Sequence, residues 1–582
     1  MSPWLPVSAA QSRLQRFVNR SAQVALALLG FLPLGAIGLQ CIASVWDAAA
    51  WEIFWHEALR SRLWLAAWGM TLWTGLASTL LAYGLCAWLV SHSFARPLWA
   101  SSVRMLGPML AVPHAAFAVG LVFLVSPSGW ILRALSPWLT GFYQTPLWLT
   151  SQDPWGLGVI AVLLCKELPF LLWAVATQLQ RDDASVRLLR EMQAAQTMGY
   201  ARRTAFFKVV WPQLAQRIRW PLFAVLAYGL TVVDVALIAG PSNPPTLSVL
   251  AWQLLQDSDT AQNTQGAIAG WVLAGTTAVA AAVWLALGSM PWMHARHVRG
   301  GRGGRGGRGG RGMHGSEASQ GVAPARLHSV LTRGLVYFFL SIYLAVWAAL
   351  LVGSVSGVWP FPALLPANWS LDAWQAVWGS SSTVGATLAL ALGSTVLAML
   401  WSLAWLELAP SRWQHAARGM LYLPLLLPSV LWVVGLHQLA LQLSLSASFT
   451  ALLLAHSLAV LPYTMIVLSP AYQGFDVRYA MATASMGRSY AAFLLCVKWP
   501  LLRSALYAAC AVGVAVSVAQ YLPTLYVGEG RYTTVTTEAV NLASGGQRSL
   551  VAAYAWLQWF IPVVGFALAA WLGRPRHFKA AA

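Results

Sequence analysis

QAAQTMGYARRTAFFKVVWPQL, residues 193–214, and MATASMGRSYAAFLLCVKWPLL, residues 481–502, are two versions of one stretch and align without a gap. Met198-Gly199 answers Met486-Gly487, Val209 answers Val497, and Trp211-Pro212 answers Trp499-Pro500. The spacing from Gly to Pro is the same in both copies, which chance explains poorly. Each copy is a semi-polar island between long apolar segments, with Arg202, Arg203 and Lys208 in the first and Arg488 and Lys498 in the second. A polar repeat between apolar runs suggests a docking surface used twice.

The surrounding chain is that of a polytopic membrane protein. Hydrophobic residues make up 58% and charged residues 9%, and the mean hydropathy is +0.62, far from the range of soluble domains. The net charge of +19 sits mainly in short segments between apolar runs, where membrane topology accounts for it and nucleic acid is not needed. Cys41, Cys86, Cys165, Cys496 and Cys510 lie in or beside apolar stretches without metal-type spacing, so neither disulfide nor metal site is expected.

A helical span needs about 20 mainly apolar residues, and only helices and closed barrels satisfy their backbone in lipid. On that criterion an all-α chain of about twelve transmembrane helices is expected, about six per half. The centres fall at 22–44, 63–91, 104–125, 156–178, 220–240 and 265–289, then 329–354, 382–407, 418–442, 448–470, 503–525 and 553–573. Arg13, Arg16 and Arg20 precede an apolar run too long for a cleaved signal, so the first span is expected to be an uncleaved anchor.

Arg96 and Arg104, the cluster from Arg181 to Arg219, Arg296 to Arg333, Arg412 with Arg418, and Arg574 to Lys579 fall on alternate connections, which marks one cytoplasmic side. Both termini and both repeated stretches are expected on it. Asp47, Glu52, Asp153, Asp257, Asp259, Asp372 and Glu529 fall on the opposite side, with many Trp residues suited to an interfacial belt.

The halves are joined by VRGGRGGRGGRGGRGMHGSEASQG, residues 298–321, whose glycines suit a flexible tether. The expected division is a first domain at 1–294, a tether at 295–328 and a second domain at 329–582. Arg/Gly repeats also occur in RNA binders, but this one lacks interleaved aromatics. TLWTGLAST from Thr71 resembles TLALALGST from Thr387, and VPHAAFAVGL from Val112 resembles LPSVLWVVGL from Leu427. The duplication therefore extends to the second and third spans of each half, as two parallel pseudo-repeats. The first half carries an extra Trp- and Pro-rich stretch before its fourth span, expected as an external loop or interfacial helix.

Within each repeated stretch, Ala194-Ala195 and Ala482 offer small side chains for close packing, and Gly199 and Gly487 permit a turn. Pro212 and Pro500 are expected to stop the second segment and mark re-entry to the membrane. The arrangement resembles the "EAA" loop of permease subunits in binding-protein-dependent ABC importers, whose pattern is E-A-A, three residues, Gly, nine residues, Ile, one residue, Leu-Pro. Gln193 and Met481 replace the Glu, Thr483 replaces the last Ala, and Trp211 and Trp499 replace the Leu.

The resemblance covers nearly the whole chain as two fused permease domains, and the stretch Ala519–Val540 is similar to fused permeases of the ferric-iron and thiamine type. It implies a type I ABC importer permease fold in a bacterial inner membrane. It also implies coupling loops near 190–214 and 478–502, made by Gln193, Ala194, Ala195, Gly199 and Pro212 and by Met481, Ala482, Gly487 and Pro500. The implied partners are two copies of a cytoplasmic ABC ATPase, a periplasmic solute-binding protein and a small-molecule or ion substrate. No phosphate-binding loop of the type GxxxxGK[ST] occurs, so ATP is expected to be used by the partner, with no cofactor on this chain.

Polar residues at membrane depth are the remaining candidates. Asp234 and Gln520, in roughly corresponding places, are candidates to line the translocation path or to bond between helices. Lys166 and Glu167, before Pro169, are expected as a local charged break near the cavity or the interface. His114 and His437 are expected to be packed or interfacial. The alternative architecture is a twelve-span secondary transporter of the major facilitator type, which would carry charged signatures between its second and third spans; Ser91–Val103 lacks one.

Overall fold

The computed structural model describes residues 9–289 and 322–574, apart from 95, 149, 151, 181–183, 544 and 546. Most of the proposed tether lies outside these residues. Helix Val322–Ser354 begins inside the range assigned to the tether, because no glycine interrupts the chain between Gly321 and Gly334.

Among the described residues the chain is helical, and its one β contact is an isolated bridge between Ser356 and Trp369. Ten stretches are long and apolar enough to cross a membrane. They are Arg20–Ala43, Arg62–Ser93, His114–Leu135, Leu157–Leu179 and Thr260–Ala286, then Arg333–Ser354, Ser381–Leu408, Phe449–Gln473, Tyr490–Val518 and Arg548–Leu572.

Two of the twelve expected spans, 220–240 and 418–442, are not among these ten, because the chain there is divided into shorter helices. The 220–240 segment divides into Arg219–Thr231 and Asp234–Ala239, and the 418–442 segment into Ser411–Leu421, Leu423–Leu426 and Ser429–Gln442. The 104–125 segment is likewise broken, into Pro97–Ala111 and His114–Val125. The breaks at Val112-Pro113 and Leu427-Pro428 have a common cause, since proline lacks the N–H that continues a helix and disfavours helical geometry at the residue before it.

The halves match in their packing. Arg62–Ser93 lies against Leu157–Leu179 and Arg219–Thr231, and Ser381–Leu408 lies against Phe449–Gln473 and Trp499–Val518. Thr71 Oγ1 accepts from the backbone N–H of Leu247 at 2.7 Å, and Thr387 Oγ1 from that of Val535 at 2.9 Å. Each threonine thus satisfies an otherwise orphan donor at the start of a short helix, Leu247–Leu255 or Val535–Ala543.

The first spans are exchanged between halves. Ala9–Ala43 packs on Ser429–Gln442 and Ser381–Leu408, while Val322–Ser354 packs on His114–Val125 as well as on Arg548–Leu572 of its own half. Equivalent glycines admit the crossings. A methyl at Gly120 would lie 2.5 Å from Val346 Cγ1, and one at Gly435 would meet the Ile37 carbonyl oxygen and Cys41 Sγ. Without a hydrophobic force between helices in lipid, such close approach is a main source of association.

On the side between the third and fourth spans, Arg133 of the short helix Trp130–Leu135 donates to the carbonyls of Trp359, Pro360 and Ala363. This ties the first half to the loop that follows the exchanged span.

Candidate docking loops

Each repeated stretch is a helix, a left-handed glycine turn, a short helix, a π segment and a second membrane-directed helix. In the first copy these are Ala184–Thr197, Gly199 at φ +88°, Arg202–Ala205, Phe206–Val210 and Trp211–Arg217. In the second they are Val477–Ser485, Gly487 at φ +68°, Tyr490–Phe493, Leu494–Lys498 and Trp499–Val518. The helix-ending bonds coincide as well. Gly199 N–H donates to Gln196 O and Tyr200 N–H to Ala195 O; Gly487 N–H donates to Ala484 O and Arg488 N–H to Thr483 O. A positive φ costs glycine little, which accounts for its place at both turns.

Pro212 and Pro500 do not stop a helix, contrary to the sequence expectation. Both stand in the first turn of the membrane-directed helix, immediately after the π segment. The wide π turn gives the proline ring room where a regular helix would clash with the carbonyl four residues earlier, and the first turn has no use for its missing N–H.

The motif positions divide by exposure in the same way in both copies. Gln193 and Ala194, like Met481 and Ala482, are exposed, whereas Ala195 and Thr483 are buried. Thr483 fits the packed position because its hydroxyl donates to the Tyr479 carbonyl at 2.7 Å within its own helix. The tryptophans replacing leucine each donate an indole N–H to a tyrosine hydroxyl. Trp211 reaches Tyr83 at 3.1 Å and Trp499 reaches Tyr472 at 2.9 Å. Tyr83 lies on the second span of its half and Tyr472 on the fourth span of the other, and nothing in the local sequence marked either as a partner.

The first loop buries an apolar face of Leu188, Met192 and Ala195, with Phe206 and Leu214 beneath. Arg202 Nη2 donates to Phe94 O at 3.0 Å, and Gln213 Nε2 donates to Glu191 Oε2 at 2.6 Å. Burial, and then the charge of Arg96, lower the pKa of Arg202 from its ordinary value; a guanidinium nonetheless stays charged. In the second loop's helix Val477–Ser485 only Thr483 is buried, and Val477, Tyr479, Met481 and Met486 are exposed.

The membrane-depth candidates are distributed between the helix breaks. Asp234 begins the short helix after the break at Val232–Val233. Gln520 lies in the corresponding break between Trp499–Val518 and Leu522–Gly528, where its Nε2 donates to Val516 O at 3.2 Å. Both are half-buried. By the register of the Trp-Pro pair, Asp234 corresponds to Leu522 and Gln520 to Val232, so the two polar residues are neighbours of equivalent positions.

Lys166 and Glu167 are buried, but helix Leu157–Leu179 runs through them and through Pro169 without a break. The break they serve is in another span. Lys166 Nζ donates to Met109 O at 2.9 Å and Val112 O at 2.6 Å, carbonyls freed where Pro113 interrupts the third span. Glu167 Oε1 lies 3.2 Å from His114 Nε2. His437 makes a similar contact with Glu529, also at 3.2 Å. Among the described residues no group of three or more His, Cys, Asp or Glu side chains is placed to hold a metal ion.

No family model matches the chain. It is similar to the inner membrane ABC transporter permease protein YnjC of Escherichia coli (strain K12), with 32% identity over 554 residues, covering 94% of this chain and 96% of that protein. A shorter similarity, 26% over 135 residues, covers 23% of this chain and 52% of the spermidine/putrescine transport system permease protein PotC of Haemophilus influenzae (strain ATCC 51907 / DSM 11121 / KW20 / Rd).

Proposed function

Because the chain belongs to the inner membrane permeases of ATP-binding-cassette (ABC) transporters, we propose that its two halves form the whole translocation unit of an importer, coupled to separate ATPase subunits through the loops around Gly199 and Gly487. Membership of that family sets aside the secondary-transporter alternative. The observation supporting the coupling role is the repeated loop itself. Two stretches 288 residues apart in register keep the same turn, the same π segment and the same exposed pair before the glycine.

In this reading the halves are permease domains of about six spans each, with both termini in the cytoplasm. Two copies of a cytoplasmic ABC ATPase dock on the loops, one copy per loop, and hydrolyse the ATP; this chain binds no cofactor. Gln193, Ala194, Gly199, Met481, Ala482 and Gly487 face the ATPase. Ala195 holds the first loop helix in place, and Pro212 and Pro500 set where the chain returns to the membrane.

A periplasmic solute-binding protein delivers a small molecule or ion to the opposite face. ATPase closure changes the permease only as far as its contacts differ between the inward- and outward-open arrangements, and the expected movement is rigid-body rocking of one half against the other. Asp234 and Gln520, at matched breaks in the fifth span of each half, line the solute path, with Glu167 nearby. Lys166 acts beside them by capping the broken third span. The stretch Ala519–Val540 is similar to fused permeases of the ferric-iron and thiamine type, which supports a fused permease for a small solute without naming that solute.

Co-purification from detergent tests the reading, comparing the parent with the double variant Gly199→Asp and Gly487→Asp. Space beside each glycine is open, so the added carboxylates meet no neighbouring atom, and the strain of a side chain at the left-handed φ falls on the loop turns themselves. An ATPase retained by the parent and lost from the variant is the expected result. A parent that retains none under several conditions, or a variant that retains it fully, overturns the docking assignment.

A further inference from the structure

Glu407 stands in the last turn of helix Ser381–Leu408, the second span of its half, and gathers two residues of the second docking loop. Lys498 Nζ lies 2.8 Å from Glu407 Oε1, with the two side chains 12% and 9% exposed. The Tyr490 hydroxyl donates to Glu407 Oε2 at 2.7 Å. Lys498 Nζ also sits 4.4 Å above the Tyr472 ring and 5.8 Å from that of Phe475, and Tyr472 accepts from Trp499. Both carboxylate oxygens are therefore engaged by the loop, one by Tyr490 ahead of the π segment Leu494–Lys498 and one by Lys498 at its last residue.

The first half makes its corresponding tie with other chemistry. Arg202, the counterpart of Tyr490, donates to a backbone carbonyl, that of Phe94 just past the end of the second span. Val210, the counterpart of Lys498, carries no charge. The location of the tie is common to both halves, while the ionic pair belongs to the second alone.

Resting on the docking reading above, we propose that Glu407 is a positioning residue that carries displacement of the second docking loop into helix Ser381–Leu408. A charge-assisted bond sequestered from water resists stretching far more than exposed contacts do. The exposed helix Val477–Ser485 has little buried area through which to push, so the load passes through Glu407, Lys498 and Tyr490.

The test uses the permease with its co-purified ATPase in lipid nanodiscs, in a Cys496→Ser, Cys510→Ser background; Cys41, Cys86 and Cys165 are buried. A thiol-reactive fluorophore is placed at Ala491→Cys in the loop or at Ala404→Cys in the helix, and emission is compared before and after trapping with Mg-ATP and vanadate. In the parent both probes are expected to respond. With Glu407→Gln the loop probe keeps its response and the helix probe loses at least three-quarters of it; Glu407→Asp retains most. The pair Glu407→Met with Lys498→Met, which leaves no orphan charge, reports the same loss if Glu407→Gln does not fold. A helix probe that responds in Glu407→Gln or the Met pair as in the parent overturns the proposal while leaving docking intact. A loop probe silent in the parent overturns the docking reading and this proposal together.

Discussion

The two repeated loops share a backbone and differ in what holds it. The first is fastened by an apolar face, with Leu188 and Met192 almost wholly buried, and by neutral or singly charged bonds to Phe94 O and Glu191. The second exposes most of its helix and is fastened at one ionic point, Glu407. The two copies thus keep one outward geometry, the same turn and the same exposed pair before the glycine, while their attachments to the rest of the chain differ.

Removing one partner of the ionic point gives the largest expected effect. Lys498→Ala leaves the Glu407 carboxylate without its counter-charge, at a cost of about 3–5 kcal/mol if the site stays dry. Thermal unfolding of the purified permease should show a clear loss of stability, and unchanged unfolding would mean that the second loop is held in some other way. A matched pair of methionine truncations comes next. Met192→Ala opens a cavity and is expected to cost about 2–5 kcal/mol, whereas Met481→Ala, on the exposed face of the other loop, should stay within about 0.5 kcal/mol. Equal losses in the two variants would erase the distinction between a packed loop and an exposed one.

Smaller changes sharpen the comparison. Trp211→Phe and Trp499→Phe each remove one indole–tyrosine hydrogen bond, worth about 1 kcal/mol, and should lower the unfolding midpoint by similar amounts despite the different spans that supply the tyrosines. The smallest effect concerns the second loop alone. Asp476 caps helix Val477–Ser485 by accepting from the Arg478 N–H at 2.9 Å, and Asp476→Ala should cost about 0.5–1 kcal/mol of local stability. Faster amide exchange confined to that helix would register it; unchanged exchange would show that the cap contributes nothing.

Much of this arrangement was legible in the chain. The spacing from Gly199 to Trp211-Pro212, repeated from Gly487 to Trp499-Pro500, located both loops, and each glycine does adopt a left-handed turn. The likeness between Thr71 and Thr387 led to equivalent helix-capping bonds. Helix interruptions were less legible. Pro113 and Pro428 break their spans, but Pro169 lies inside a continuous helix, and the break at Val232–Val233 has no proline at all. Whether proline interrupts a helix depends on neighbours able to donate to the freed carbonyls, as Lys166 does to those of Met109 and Val112.

Composition and periodicity by themselves determined that the chain is a helical membrane protein built from a duplicated unit, because lipid leaves the backbone few ways to satisfy its hydrogen bonds. The glycine spacing determined the turn of each repeated loop, because a positive φ is a local property that glycine adopts at little cost. Tertiary structure decided the partners: Tyr83 and Tyr472 for the tryptophans, Glu407 for Lys498, and the exchanged first spans at Gly120 and Gly435. These contacts join residues tens to hundreds of positions apart, and they exist only once helices have packed closely enough to bring a side chain, or the absence of one, opposite its partner.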